Sequence, residues 1–214
     1  MTVQPAVRPV APVVAVDIGN VCHHLDFAAC SQAAGIENFW YGALMRHPES
    51  LRLEHLVEKG LLPIPEFVRQ VALALAMPEE RFLAAWTAII GTEMPGMPDL
   101  IDEMLAAGLR PVFLSNITWT HWRHSLAAIS FGHKMHGAVL SCEAQAMKPE
   151  PAIYATLERR YCGGGIPCLY LDDRPENIEG GRLRGWNSHL FTDTAGARQA
   201  LQAVLKQNRQ AMQP

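Results

Sequence analysis

Three things are missing from this 214-residue sequence: a long apolar run, a basic cluster and a paired-cysteine spacing. No run approaches the roughly 18 apolar residues of a membrane-spanning helix, so no membrane partner is expected. Lys plus Arg number 18 against 21 Asp plus Glu, a net charge of -3, with no clustering of the basic residues. Binding a phosphate backbone needs such clusters, so nucleic acid is not expected as the main partner. The five cysteines, Cys22, Cys30, Cys142, Cys162 and Cys168, are odd in number, scattered and without a CxxC pair. Neither a disulfide framework nor a zinc site is indicated, and a reducing cytoplasm is expected. No internal repeat is present. Residues 1–12 hold three prolines and no charged-then-apolar leader pattern, and they read as a flexible tail.

What is present is an alternation of strand and helix signals. The apolar runs 13–17, 110–114, 137–140, 168–172 and 188–191 have strand length and β-branched or aromatic content, and helical periodicity follows most of them. The helix expected over 98–109 puts Leu100, Ile101, Met104 and Leu105 on one side and stops at Gly108. Further helices are expected near 149–160, 175–184 and 194–208. This alternation predicts an α/β fold, a Rossmann-like parallel sheet with helices on both faces. Between the first two strands lie about 90 residues with almost no strand signal, where 51–57, 65–76 and 79–90 are apolar at helical spacing. We therefore expect a core of residues 13–21 and 93–214 and an inserted α-helical cap over 22–92, with the whole chain a monomer or homodimer.

The chemistry lies at the strand ends. The run Val13-Val14-Ala15-Val16 stops at Asp17, a second ends in Leu114-Ser115-Asn116, a third in Leu171-Asp172-Asp173, and Lys148-Pro149 stands at an expected helix start. Parallel strands gather such residues at the carboxyl edge, where open α/β sheets place ligands. A carboxylate there, Asp17, can attack phosphorus if a metal neutralises the repulsion between anions, and Asp173 can help hold Mg²⁺. Ser115 and the Asn116 N–H can bind phosphoryl oxygens, and Lys148 can balance accumulating charge. Asp172 points to the other side of its strand by the two-residue period, so it and Asn177 are assigned supporting roles. The paired His121 and His124 lack an acidic partner at metal spacing, so no metal is expected there.

These four segments, in this order, resemble the motifs of the haloacid dehalogenase (HAD) superfamily. The wording Asp17-Ile18-Gly19-Asn20-Val21, Met147-Lys148-Pro149-Glu150 and Asp172-Asp173-Arg174-Pro175-Glu176-Asn177 resembles in particular the sugar-phosphatase group around alpha-D-glucose-1-phosphate phosphatase. The resemblance implies a cap of the type inserted after the first motif (C1), Mg²⁺ held with help from the Gly19 carbonyl, and an aspartyl-phosphate intermediate. The expected activity is hydrolysis of a small phosphorylated metabolite, a sugar phosphate first. One departure stands out. Most phosphatases of the superfamily carry a second aspartate two residues after the nucleophile as general acid and base, and Gly19 cannot move a proton. Either the substrate has a good leaving group, or His23, His24 or Asp26 supplies the relay, and His23 and His24 are counted as candidate substrate-binding residues. Two other functions stay open: 2-haloacid dehalogenation, which attacks carbon without a metal, and non-catalytic binding of a phosphate ligand.

Overall fold

The computed structural model describes residues 11–211, so the expectation of a tail over 1–12 lies outside the described residues except for Ala11 and Pro12. In chain order the elements are β1 (Val13–Val16), β2 (His23–Leu25), α1 (Phe27–Ala34), a π-helical segment (Phe39–Leu44), α2 (Pro48–Glu58), α3 (Ile64–Ala74) and α4 (Glu79–Thr87). Then come β3 (Ile90–Glu93), α5 (Met97–Ala106), β4 (Arg110–Ser115), α6 (Trp119–Ala128), a 3₁₀ turn (Gly132–Lys134), β5 (Ala138–Leu140) and α7 (Ser141–Ala144). The chain continues through α8 (Pro151–Tyr161), β6 (Leu169–Asp172), α9 (Pro175–Arg182), β7 (Ser188–Leu190) and α10 (Thr194–Ala211). No helix among the described residues is long and apolar enough to cross a membrane.

The expected α/β fold is the one formed: a five-stranded sheet of order β5-β4-β1-β6-β7 whose neighbouring strands all run parallel. Strand alternation divides its side chains between two cores. Val14, Val16, Leu169 and Leu171 pack with Leu100, Ile101 and Met104 of α5 and Leu201 of α10 on one face. Val13, Ala15, Val112 and Tyr170 pack with Tyr154 and Leu157 of α8 and Ile178 of α9 on the other. Burial on both faces explains why these strands read as unbroken apolar runs. The chain leaves β1 toward β4 and β5 and returns on its other side to β6 and β7, so the strand order reverses beside β1. A crevice opens at such a switch point.

The segment between β1 and α5 holds four α-helices and the π-helical segment around a core of its own, including Phe39, Leu53, Phe67, Phe82 and Trp86. Phe67 stands 5.0 Å from Trp86 and 5.6 Å from Phe82, centroid to centroid. This helical cap differs from the sequence expectation in one respect: it is carried on an antiparallel ribbon of β2 and β3. Strands of three and four residues are too short to show a period of two, which is why no strand was expected there. A second difference concerns Lys148. The helix after it begins at Pro151, with Glu150 as N-cap, and Lys148 lies in the preceding loop, joined to Pro149 by a cis peptide bond.

Because Phe82 is fully buried at the centre of the cap core, Phe82→Ala is expected to cost about 3–5 kcal/mol of unfolding free energy, read from denaturant titration. A cost below about 1 kcal/mol would mean that the cap has no packed core of its own.

Candidate active site

Asp17 follows β1, Ser115 ends β4 and Asp172 ends β6, and because β1 lies between β4 and β6 the three meet at one edge of the sheet. Lys148 comes to the same place. It is 4 % exposed, and its Nζ lies 2.8 Å from Asp17 Oδ1, donates to Asp172 Oδ2 at 2.6 Å and donates to the Leu114 carbonyl at 2.8 Å. The Asn116 side chain holds the lysine by its backbone, accepting from Lys148 N at 2.7 Å and donating to Lys148 O at 2.9 Å. That amide is therefore committed to the lysine, which leaves the Asn116 backbone N–H as its group for a ligand. Ser115 is buried, lines the cavity and makes no side-chain hydrogen bond among the described residues.

Asp172 and Asp173 part as strand alternation requires. Asp172 is fully buried, and both its oxygens are saturated: Oδ2 accepts from Lys148 and from the Tyr170 hydroxyl at 2.6 Å, Oδ1 from Arg174 N at 2.9 Å and from Asn177 Nδ2 at 3.0 Å. It supports the lysine and has no lone pair to spare. Asp173 is half-buried and faces the cavity, with Oδ2 accepting from Asn20 Nδ2 at 3.0 Å. Asn20 was not a candidate from sequence, although asparagine is one of the few residues that suits its left-handed backbone, φ 54°.

The donor set suits a hard divalent cation. One ligand atom from each of Asp17, Asp172 and Asp173 lies within 4.8 Å of the others. Asp172 is committed to its own donors, Lys148 pairs with Asp17 and Asp172, and Asp173 has no cationic side chain in contact among the described residues. Apart from the lysine contact, Asp17 Oδ1 has no hydrogen-bond partner. Burial raises the Asp17 pKa to about 7 against the pull of Lys148, with Asp172 and Asp173 adding to the rise. Asp173 is raised as well, first by burial. Carboxylate oxygens with an excess of negative charge are what Mg²⁺ accepts, and Asp17 and Asp173 are the members of the cluster with oxygen to offer it.

Gly19 lines the cavity without a positive φ, and a Cβ there would meet only Leu25 side-chain carbons at 3.4–3.7 Å. The groups expected to compensate for it are employed elsewhere. His23 is buried, donating from Nδ1 to the His24 carbonyl at 2.9 Å and accepting at Nε2 from the Ser125 hydroxyl at 2.9 Å, and burial lowers its pKa. Its ring lines the cavity with neither nitrogen free. His24 is exposed on the opposite side of β2 and lies outside this cavity, beside a second depression formed with Met94 and Thr192. Strand alternation separates the two histidines, so they do not act as a pair in the cavity. Asp26 is exposed and caps α1, accepting from Ala29 N at 2.8 Å.

The cavity, of about 930 Å³, runs from this edge into the cap. Its cap side carries two carboxyls that the sequence does not single out, Glu54 and Glu58, one turn apart on α2, and His121 of α6 faces it from the core. Residues four apart share a helix face, but the spacing does not say whether that face turns inward. His121 donates from Nε2 to the Trp86 carbonyl at 3.1 Å, and burial lowers its pKa to about 4, so it is a neutral imidazole. Glu54 is 3 % exposed, with Oε1 accepting from Trp86 Nε1 at 3.1 Å and Oε2 without a partner. Burial, then repulsion from Glu58, raises its pKa from an ordinary 4.5 to about 8. Between those two values the unfolded chain releases a proton that the folded chain keeps, so this group's stabilisation is lost as pH rises. The metal-free wild type should accordingly lose stability relative to Glu54→Gln between pH 4.5 and 8 in thermal melts, and equal slopes would contradict the buried, protonated carboxyl.

No family model matches the chain. Among solved structures it is similar to a HAD family enzyme from Bacteroides thetaiotaomicron, with a TM-score of 0.71 at 20 % identity over 87 % of this chain and 96 % of that one. The wild-type form of that enzyme has also been crystallised with magnesium and inorganic phosphate. It is similar too to the L-2-haloacid dehalogenase of Xanthobacter autotrophicus, with a TM-score of 0.61 at 18 % identity over 83 % and 76 % of the two chains. At these identities the likeness is one of fold, and the chain has the α/β fold of HAD enzymes.

Proposed function

We propose that the protein is a Mg²⁺-dependent phosphomonoester hydrolase of the HAD superfamily acting on a small phosphorylated metabolite, with sugar phosphates as the first class. The observation that carries this reading is the single lysine set among three carboxylates at the carboxyl edge of the sheet, beside a serine with a free hydroxyl. Asp17 attacks phosphorus and becomes the aspartyl phosphate. Ser115 and the Asn116 N–H orient the phosphoryl oxygens, and Lys148 keeps the nucleophile in line while offsetting the charge that gathers on its oxygen. Water then attacks phosphorus and returns Asp17 to a carboxylate. Mg²⁺ held by Asp17, Asp173 and the Gly19 carbonyl would supply the charge neutralisation that lets two anions meet. Asp172 and Asn177 keep Lys148 in place from below. The cap encloses the leaving group, and its mixture of carboxyl, imidazole and aromatic walls suits a hydroxylated one such as a sugar.

Hydrolysis of p-nitrophenyl phosphate with Mg²⁺ tests this reading directly. Activity is expected to vanish with chelator, to return with added Mg²⁺, and to fall on the order of 10³-fold or more in Asp17→Asn. Dehalogenation, which the same fold supports in other proteins, needs no metal. Halide release from a 2-haloacid that survives chelation, with no phosphatase activity, would replace this proposal, and failure on every phosphate and haloacid would leave phosphate-ligand binding.

A further inference from the structure

Resting on the phosphatase reading, a question of proton balance remains: an alkyl oxygen leaving phosphorus must gain a proton, and the attacking water must lose one. Gly19, His23, His24 and Asp26 do not provide for this. We propose that Glu58, at the end of α2, is the general acid and base, its carboxyl giving a proton to the leaving oxygen and its carboxylate then taking one from water.

Placement is the first argument. The Glu58 side chain lines the same cavity as Asp17 and Lys148 and has no hydrogen-bond or ion-pair partner among the described residues. The helix end that carries it is docked onto the loops of the phosphoryl site. The Glu58 backbone carbonyl accepts from Ser141 Oγ at 2.6 Å, and the same hydroxyl accepts from Ile117 N at 2.8 Å, two residues beyond Ser115. Lys59 pairs with Glu150 at 2.5 Å, two residues beyond Lys148. Glu58 is thus held in register with both phosphate-handling loops, although it belongs to the cap.

The second argument is Glu54, an independent mark that this wall meets a ligand. A carboxyl so deeply buried, with Oε2 unpartnered in the cavity, is left with a lone pair for a hydroxyl of whatever fills the pocket. Two carboxyls one turn apart do not ionise together readily. Burial brings the Glu58 pKa to about 7, with Arg174 and Lys148 lowering it and Asp17 raising it, so both its protonation states are accessible near neutrality.

The chemistry balances. As Asp17 forms its bond to phosphorus, the bond to the leaving oxygen breaks, its electron pair stays with that oxygen, and the Glu58 proton joins it to give the alcohol. In the second step the Glu58 carboxylate takes a proton from water as the water oxygen bonds to phosphorus, and the bond to Asp17 breaks. The products are alcohol and inorganic phosphate, with Asp17 a carboxylate and Glu58 protonated again.

The test is a series of alkyl and aryl phosphates, with kcat/KM measured for wild type and Glu58→Gln and plotted against leaving-group pKa. General acid catalysis is typically worth 10²–10⁴-fold, so Glu58→Gln is expected to lose at least about 100-fold on alkyl phosphates and much less on p-nitrophenyl phosphate, giving a steeper dependence. Glu58→Ala should show the same steepening, partly reversed by added formate. A loss equal for every leaving group, or no loss, would overturn the assignment while leaving the phosphatase reading intact. A wild type inert toward all the phosphates would overturn both.

Discussion

Everything at this site depends on burying one ammonium group. Lys148 reaches its position almost wholly out of water, and the desolvation of a charge so placed is offset only when every donor finds an acceptor. The chain provides two carboxylates and a backbone carbonyl for Nζ, and the Asn116 amide grips the lysine backbone from both sides. Asp172 in turn is saturated by Tyr170, Asn177 and the Arg174 N–H, so the supporting shell reaches the far face of the sheet. Burial would otherwise drive lysine to its neutral form, but the Asp17 and Asp172 carboxylates hold its pKa above the ordinary value. The lysine therefore stays charged beside Asp17 while an excess of negative charge is left for a divalent cation.

The cap contributes a second, less obvious constraint. It has its own aromatic core, yet it is tied to the sheet at several points: the β2–β3 ribbon, the Trp86–His121 hydrogen bond, and the end of α2. The last of these brings acidic side chains of a helix from the cap against an acidic site of the core. Carboxyls on both sides of one enclosed cavity raise one another's affinity for protons and cations. A site of that kind repels anions unless a cation offsets its charge, and it retains protons at neutral pH that exposed carboxyls would release. Enclosure of the cavity and proton-retaining carboxyls are then two effects of the same helix.

Much of this was legible in the linear chain because parallel strands covered on both faces leave a strong mark. Unbroken apolar runs ending in Asp17, Ser115 and Asp172 announce both the sheet and the edge at which chemistry gathers. The separation of Asp172 from Asp173 followed from the period of two, and the helical content of the insertion from apolar spacing. The short ribbon was hidden because three or four residues carry no readable period. Asn20, Glu54 and Glu58 were hidden for another reason: their significance lies in what they face across the cavity, and nothing local distinguishes an inward glutamate on an amphipathic helix from a solvated one.

Sequence alone thus determined the strand-and-helix order of the core, the parallel sheet and Asp17, Ser115, Lys148 and Asp173 as candidate polar groups at its edge, since these depend on local periodicity and on a general rule of sheet topology. Only the tertiary structure decided which of them touch, that His23 is occupied by Ser125 and His24 turned away, and that α2 brings Glu58 to the cavity of Asp17 and Lys148. Those outcomes rest on contacts between residues some 25 to 150 positions apart, whose geometry is set by packing of the whole chain and leaves no local trace in the order of the amino acids.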